Sequence, residues 1–371
     1  MTAMKLWTYV SCTLSVVVPA LVTLSTLHAQ DVAMIKVPDV PLVLKSRGSF
    51  FIGGKSVEET PTELSSIFGK PLNANGHVTI DQMYVDFMVP QNVHGVPVIM
   101  MHGGTVTGKT YDTTPDGRMG WYEYFVRQGY PTYVPDGATR GRSGVDIADY
   151  NDVRLEAKAP ETLPHAFRES DEYNWMMFRF GPRPGQSYPD SQFPASYAAE
   201  LSKQGVPDFN AMLESPNSNA LALSTLAHKL HGAVILAHSE GGSLPIDATL
   251  ADDSGVRGLV LVEPGTCESR QLNDGQIEML ARHPILVVFG DHLGTDTGTP
   301  GFTWAGARSD CETMIARVNK VGGQASLIWP PALGIHGNSH LMMMDRNNLQ
   351  IADLILRWIN EKVDKASSRR K

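Results

Sequence analysis

Compact apolar runs at 96–101, 233–236, 258–262 and 284–289 punctuate this chain, each bounded by turn residues. Unbroken runs of this kind suit strands covered on both faces, where an alternating pattern would leave polar side chains in the core. Segments of helical period lie between them, at 121–128 (closed by Gly129), 220–230 and 313–321 (closed by Gly322-Gly323). A last one spans 349–363, where Leu349, Ile351, Leu354, Ile355 and Ile359 fall near one face. Opening strands at 49–52 and 78–89, a strand at 132–135 and a last strand at 325–329 complete the set. Such alternation predicts an α/β fold, a mostly parallel central sheet flanked by helices.

The pattern lapses between about 145 and 216. That stretch is rich in Pro, Tyr, Phe and Trp, as in Tyr173-Asn174-Trp175-Met176-Met177-Phe178-Arg179-Phe180-Gly181-Pro182, and carries no parallel-strand signal. Linkers rarely hold so many aromatics, so it reads as an irregular helical cap inserted into a domain spanning 30–371. No internal repeat is present, and the only biased tract is the basic end, 365–371.

Residues 1–29 do not belong to this pattern. A single charge, Lys5, precedes a long apolar and hydroxyl-rich run that ends in Leu27-His28-Ala29. These are the parts of a secretory signal peptide cut after Ala29; Pro19 and the scattered Ser and Thr weigh against the alternative of a retained membrane anchor. No later stretch holds 18 unbroken apolar residues, so no stable membrane insertion is expected after cleavage. The expected product is secreted or periplasmic. Export leaves Cys267 and Cys311 as the only pair of thiols, and an oxidising compartment predicts a bridge between them. Net charge is −8 with no basic block, which argues against a nucleic-acid partner.

Two motifs compete to carry the chemistry. Gly103-Gly104-Thr105-Val106-Thr107-Gly108-Lys109-Thr110 fits the phosphate-binding pattern letter for letter. That pattern needs a helix to begin at its Lys, however, and the following Tyr111-Asp112-Thr113-Thr114-Pro115-Asp116-Gly117 is a turn sequence. A nucleotide-binding protein is therefore the lesser reading. The second motif, Ala237-His238-Ser239-Glu240-Gly241-Gly242, follows a buried strand and precedes a helix. It matches the nucleophile elbow G-x-S-x-G with Ala for the first Gly, small residues being needed so that the strained turn clears its neighbours.

A serine hydroxyl needs a base near neutral pH. The loop before the terminal helix supplies His340, with His336 as second choice; Gly337 and Asn338 between them disfavour a helical metal pair. Spacing leaves two acids open, Glu263 at the end of one strand and Asp291 at the end of the next. Gly104 and Glu240 are the expected amide donors of an oxyanion hole. Ser143, in the loop 136–144, is a lesser serine candidate. Trp175, Phe178 and Phe180, with Trp304, either wall an apolar pocket or form the cap's own core. The reaction expected is hydrolysis of a small-molecule carboxylic ester through an acyl-enzyme, with no metal or organic cofactor. An inactive hydrolase acting as a binding module is the other alternative.

Several long strings carry a more specific likeness: Thr113-Thr114-Pro115-Asp116-Gly117-Arg118-Met119-Gly120-Trp121, Phe178-Arg179-Phe180-Gly181-Pro182, Val262-Glu263-Pro264-Gly265, Gly337-Asn338-Ser339-His340 and Asp345-Arg346-Asn347-Asn348-Leu349-Gln350. In these the chain resembles a small group of exported bacterial serine esterases within the α/β-hydrolases, those of the esterase seven-thirteen type. The resemblance implies a Ser–Glu–His triad, favours Glu263 over Asp291, places the base on His340 and implies a homodimer. This chain departs from the type at Gly104-Thr105, where adjacent cysteines stand there, and at Glu240, where Gln stands.

Overall fold

The computed structural model describes residues 35–209 and 217–365, together with Val32; the expected signal segment 1–29 and the basic residues 366–371 lie outside the described residues. The described chain opens on a long hairpin, β1 (Leu44–Glu59) and β2 (Gly76–Pro90), whose connection holds one helical turn, α1 (Pro61–Leu64). It then runs through β3 (Val98–Met101), α2 (Trp121–Arg127) and β4 (Thr132–Asp136). Residues 137–217 add only short helices, α3 (Ala148–Arg154), α4 (Asp171–Met177) and α5 (Ala198–Ser202), and no strand of the sheet among the described residues. Regular alternation resumes with α6 (Ser218–Lys229), β5 (Ala233–His238), α7 (Leu244–Ala251), β6 (Val256–Val262) and α8 (Asp274–Leu280). It ends with β7 (Pro284–Val288), α9 (Trp304–Lys320), β8 (Gln324–Ile328) and α10 (Asn348–Ile359).

All eight strands form one sheet in the order β1-β2-β4-β3-β5-β6-β7-β8. The β1–β2 and β2–β4 pairs are antiparallel and every later pair is parallel. Because side chains alternate along a strand, the buried runs feed two cores at once. Ile99, Ile235, Leu259 and Ile285 point to the face covered by α6, α7, α8 and α9. Val98, Val234, Val260 and Leu286 point to the other, under α2, α10 and the aromatics Phe178, Phe180 and Phe193. On α9 the buried Ala307, Cys311, Met314 and Val318 recur at helical spacing and make its sheet-facing stripe. No helix is long and apolar enough to cross a membrane among the described residues.

Cys267 and Cys311 are bonded, with Cα atoms 4.8 Å apart, so the loop after β6 is tied to α9. Closing a loop of 44 residues this way stabilises the fold by about 3–4 kcal/mol on a chain-entropy argument. Asp310 reinforces the tie by accepting from the Cys267 amide and from the hydroxyls of Thr266 and Ser269.

Element boundaries differ from the sequence reading where glycine or a cap decides. β1 extends well past the expected 49–52, because pairing with β2 carries the chain through Gly53-Gly54, which interrupt the apolar pattern at φ 69° and 87°. α9 begins nine residues before the expected 313, with the Thr303 side chain accepting from the Gly306 amide. α8 was not anticipated; its signal was the capping box of Asn273 and Gln276.

Candidate active site

β5 delivers Ser239 at the carboxyl edge of the sheet, where it opens a short turn, Ser239–Ser243, that leads into α7. Its φ is 60°, a left-handed conformation that strains any side chain bearing a Cβ. The turn is tolerated because its neighbours lack side chains. A Cβ on Gly103 would lie 2.7 Å from the Ser239 Cβ, and one on Gly242 would lie 2.6 Å from the Pro264 Cα.

His340 reaches Ser239 from a chain segment 101 residues later, its Nε2 2.8 Å from the Ser239 Oγ. Its Nδ1 lies 3.0 Å from the Glu263 Oε2 at the end of β6. Glu263 also holds a strained φ, 52°. Its other oxygen, Oε1, accepts from the Gly290 amide and from the Arg179 Nη2 at 2.6 Å. Glu263, Arg179 and His340 are all fully buried. Burial pushes the Glu263 carboxyl up, yet Arg179 first and then His340 more than offset it, so the group stays below its ordinary range. Burial lowers the His340 imidazole and outweighs Glu263, which acts the other way. At neutral pH the ring is therefore uncharged and able to take a proton.

The His340 ring is clamped from several sides. The His340 amide donates to the Phe178 carbonyl, and the ring packs against Phe178 and Trp304, whose centroids lie 5.4 and 4.1 Å away. Its neighbour Ser339 donates to the buried Asp345 through both amide and hydroxyl.

The loop after β3 also comes close to Ser239 and Glu240. The Gly104 amide donates to no group among the described residues. The Glu240 amide, at the start of its turn, has no partner within that turn either. A Cβ at 104 would collide with the Glu240 carboxylate. Behind them the fully buried Arg140 pairs with Asp208, which also accepts the Thr105 amide at 2.9 Å. Burial, followed by repulsion from Asp208 and against the pull of Arg140, pushes the Glu240 carboxyl up to about 8.

The second-choice residues meet each other elsewhere: the His336 Nδ1 lies 3.4 Å from the Asp291 Oδ2, with His336 exposed. Ser143 donates to the Asp136 carbonyl and accepts the Tyr84 amide, a framework role. In the phosphate-loop stretch the Gly108 amide is taken by Asp136 and the Lys109 Nζ by the Thr113 carbonyl. Only a four-residue turn, Gly108–Tyr111, follows. Of the four aromatics, Phe178 and Trp304 line the cavity beside Ser239, while Phe180 stacks on Phe193 in the core. Trp175 packs edge-on against Phe180. Arg179, which holds Glu263, was not singled out in the sequence. Its signal was a lone charge inside the aromatic string 178–182.

A cavity of about 740 Å³ opens over Ser239, with Gly104, Glu240, Met177, Phe178, Phe302 and Trp304 in its wall. No protein-family model matches the chain. A solved structure described as a novel bacterial esterase superposes with a TM-score of 0.81 at 44% identity, covering 88% of this chain and 99% of that one. A curated protein of a fungus (Fungal sp., strain ATCC 74256), described as a "probable secreted lipase", is 26% identical over 324 residues, 75% of this chain and 86% of that one. With an eight-stranded, mostly parallel sheet and a relative of this identity over nearly its whole length, the chain belongs to the α/β-hydrolase esterases and is a carboxylic ester hydrolase.

Proposed function

We propose that the protein is an exported serine esterase that works through an acyl-enzyme. The observation that carries this reading is the unbroken line from Ser239 through His340 to Glu263, at 2.8 and 3.0 Å, in the wall of a cavity large enough for a small ester. Ser239 Oγ attacks the carbonyl carbon as its proton passes to the His340 Nε2. The Gly104 and Glu240 amides hold the resulting oxyanion. Collapse expels the alcohol, which takes the proton back from His340, and water then repeats the sequence to release the acid and restore Ser239. Glu263 orients the ring and stabilises its transient charge. Residues 145–216 act as the cap, with Met177 and Phe178 closing one side of the cavity. Export is supported by the Cys267–Cys311 bond and by the secreted relative. The homodimer rests on the resemblance, and the exposed Ile67 and Phe68 offer it apolar surface. N-terminal sequencing of the exported form and light scattering check these two points.

The test is pre-steady-state hydrolysis of p-nitrophenyl butyrate. A burst of p-nitrophenol stoichiometric with enzyme is expected, together with fluorophosphonate labelling that maps to Ser239. Turnover without a burst, combined with labelling elsewhere or none, would overturn the acyl-enzyme reading.

Glu240 gives the reaction a second pH limb. Below about pH 8 its carboxyl is protonated and neutral; above, it ionises beside the position of the developing oxyanion. A like charge a few ångströms away raises the barrier, so kcat should fall roughly ten-fold between pH 7 and 9.5. Glu240→Gln should flatten that limb, and an unchanged pH–rate profile in the variant would reject the assignment.

A further inference from the structure

One wall of the cavity comes from side chains that take no part in the proton relay. Ser243, Asp247 and Ala251 recur every fourth residue along α7 and its cap, making one stripe. Asp247 thus lies roughly 6 Å further along the helix than Ser243. The loop after β6 adds Thr266 and Glu268 to the same wall, held in place by the disulfide at Cys267 and by Asp310.

Two features make this wall unusual. Glu169 and Glu240 bring the carboxyls lining the cavity to four, and no Lys or Arg lines it among the described residues. Moreover, neither Asp247 nor Glu268 has a side-chain hydrogen bond or ion pair among the described residues. Other carboxylates around the site are matched: Glu263 by Arg179, Asp208 by Arg140, Asp310 by three donors. Both are half-buried, so they have given up part of their water without gaining a protein partner, a cost that a cationic ligand would offset. Burial first, and then Asp247 and Asp310, push the Glu268 carboxyl up to about 7. Burial likewise raises Asp247.

We infer that the preferred substrates are esters bearing a positive charge in their acyl or alcohol part, seated against Asp247 and Glu268. The inference rests on the serine-esterase reading above and adds the substrate class to it. An ammonium there neutralises both carboxylates, while Phe302 and Trp304 in the same cavity offer aromatic surface to its methyl or methylene groups. Esters with a free carboxylate are turned away by the same wall.

Matched substrates test this. On the alcohol side, choline butyrate is compared with 3,3-dimethylbutyl butyrate, which replaces the charged nitrogen by carbon. On the acyl side, p-nitrophenyl 5-(trimethylammonio)pentanoate is compared with p-nitrophenyl 6,6-dimethylheptanoate. In one of the two pairs the cation is expected to win by about 10- to 100-fold in kcat/KM, the scale of a charge-assisted contact. The Asp247→Asn/Glu268→Gln double variant should bring that ratio close to one. Should the double variant fail to accumulate, each single variant is read instead, with an expected three- to ten-fold drop in the ratio. Equal rates within both pairs, or a ratio that survives the substitutions, overturns the inference while leaving the esterase reading intact. Neutral esters left untouched by an enzyme that also resists fluorophosphonate would remove that reading and this one together.

Discussion

Ser239→Ala and His340→Ala should each lower kcat/KM for p-nitrophenyl butyrate by about 10⁴- to 10⁶-fold, and the double variant should lose no more than the worse single one. In the proposed mechanism serine and histidine make one nucleophile between them: Oγ is unreactive without the proton acceptor 2.8 Å away, and the ring has nothing to deprotonate once Oγ is gone. Losses that multiplied in the double variant would mean that the two groups act independently, which the shared proton forbids. Residual rates should still exceed that of water by about 10³-fold or more, because the Gly104 and Glu240 amides and the cavity remain. Unfolding midpoints of the variants check that the sheet edge survives. Ser239→Ala in particular keeps a Cβ at φ 60° and adds no new strain.

How far the site could be read from the sequence follows from how local each signal is. Ser239 was legible because strand, turn and helix are contiguous, and Ala237 and Gly241, two positions either side, are the small residues such a turn demands. The buried strands were legible for the same reason. Glu263 and Asp291 were not separable, since each ends a neighbouring strand and the choice depends on where a loop from far along the chain comes down. In the fold that loop turns the Asp291 side chain toward His336 and the Gly337 amide, and Glu263 toward His340. The resemblance pointed to Glu263, but no spacing rule did. Arg140, Arg179 and Asp208 were invisible in a stronger sense. Each acts through a partner in another segment: Arg179 meets Glu263 across 84 positions, and Asp208 meets Thr105 across 103. Single-sequence patterning carries no term for such pairs.

Arg179→Met should be the most damaging substitution outside the three residues in line, and its pH dependence identifies why. In the folded protein Glu263 is held below its ordinary range by Arg179 and His340 against burial. A carboxyl depressed in this way stabilises the fold above its unfolded value, near 4.5, and the contribution disappears as pH falls through the folded value. Removing the guanidinium takes away the first of the groups that oppose burial, so the Glu263 carboxyl should rise. The variant should then be about 3–5 kcal/mol less stable at pH 7, the usual cost of orphaning a buried partner. The deficit should shrink as pH falls through the variant's raised folded value and on through the depressed native one, below which both folded forms and the unfolded chain are protonated alike. Catalysis suffers separately. A protonated Glu263 no longer stabilises the imidazolium, so kcat should drop by roughly 10²- to 10³-fold at pH 7, with the acid limb displaced upward. Two further variants divide the effects. Arg179→Lys keeps a charge but not the fork whose Nε reaches the Asp291 carbonyl while Nη2 holds Glu263, so it should restore stability only in part. Pairing Arg179→Met with Glu263→Gln removes the buried charge altogether and should recover most of the stability, while activity stays about 10⁴-fold down, as expected when the acid of such a triad is made neutral. Recovery of activity along with stability would mean that Arg179 serves packing alone, and that the charge on Glu263 is not needed by His340.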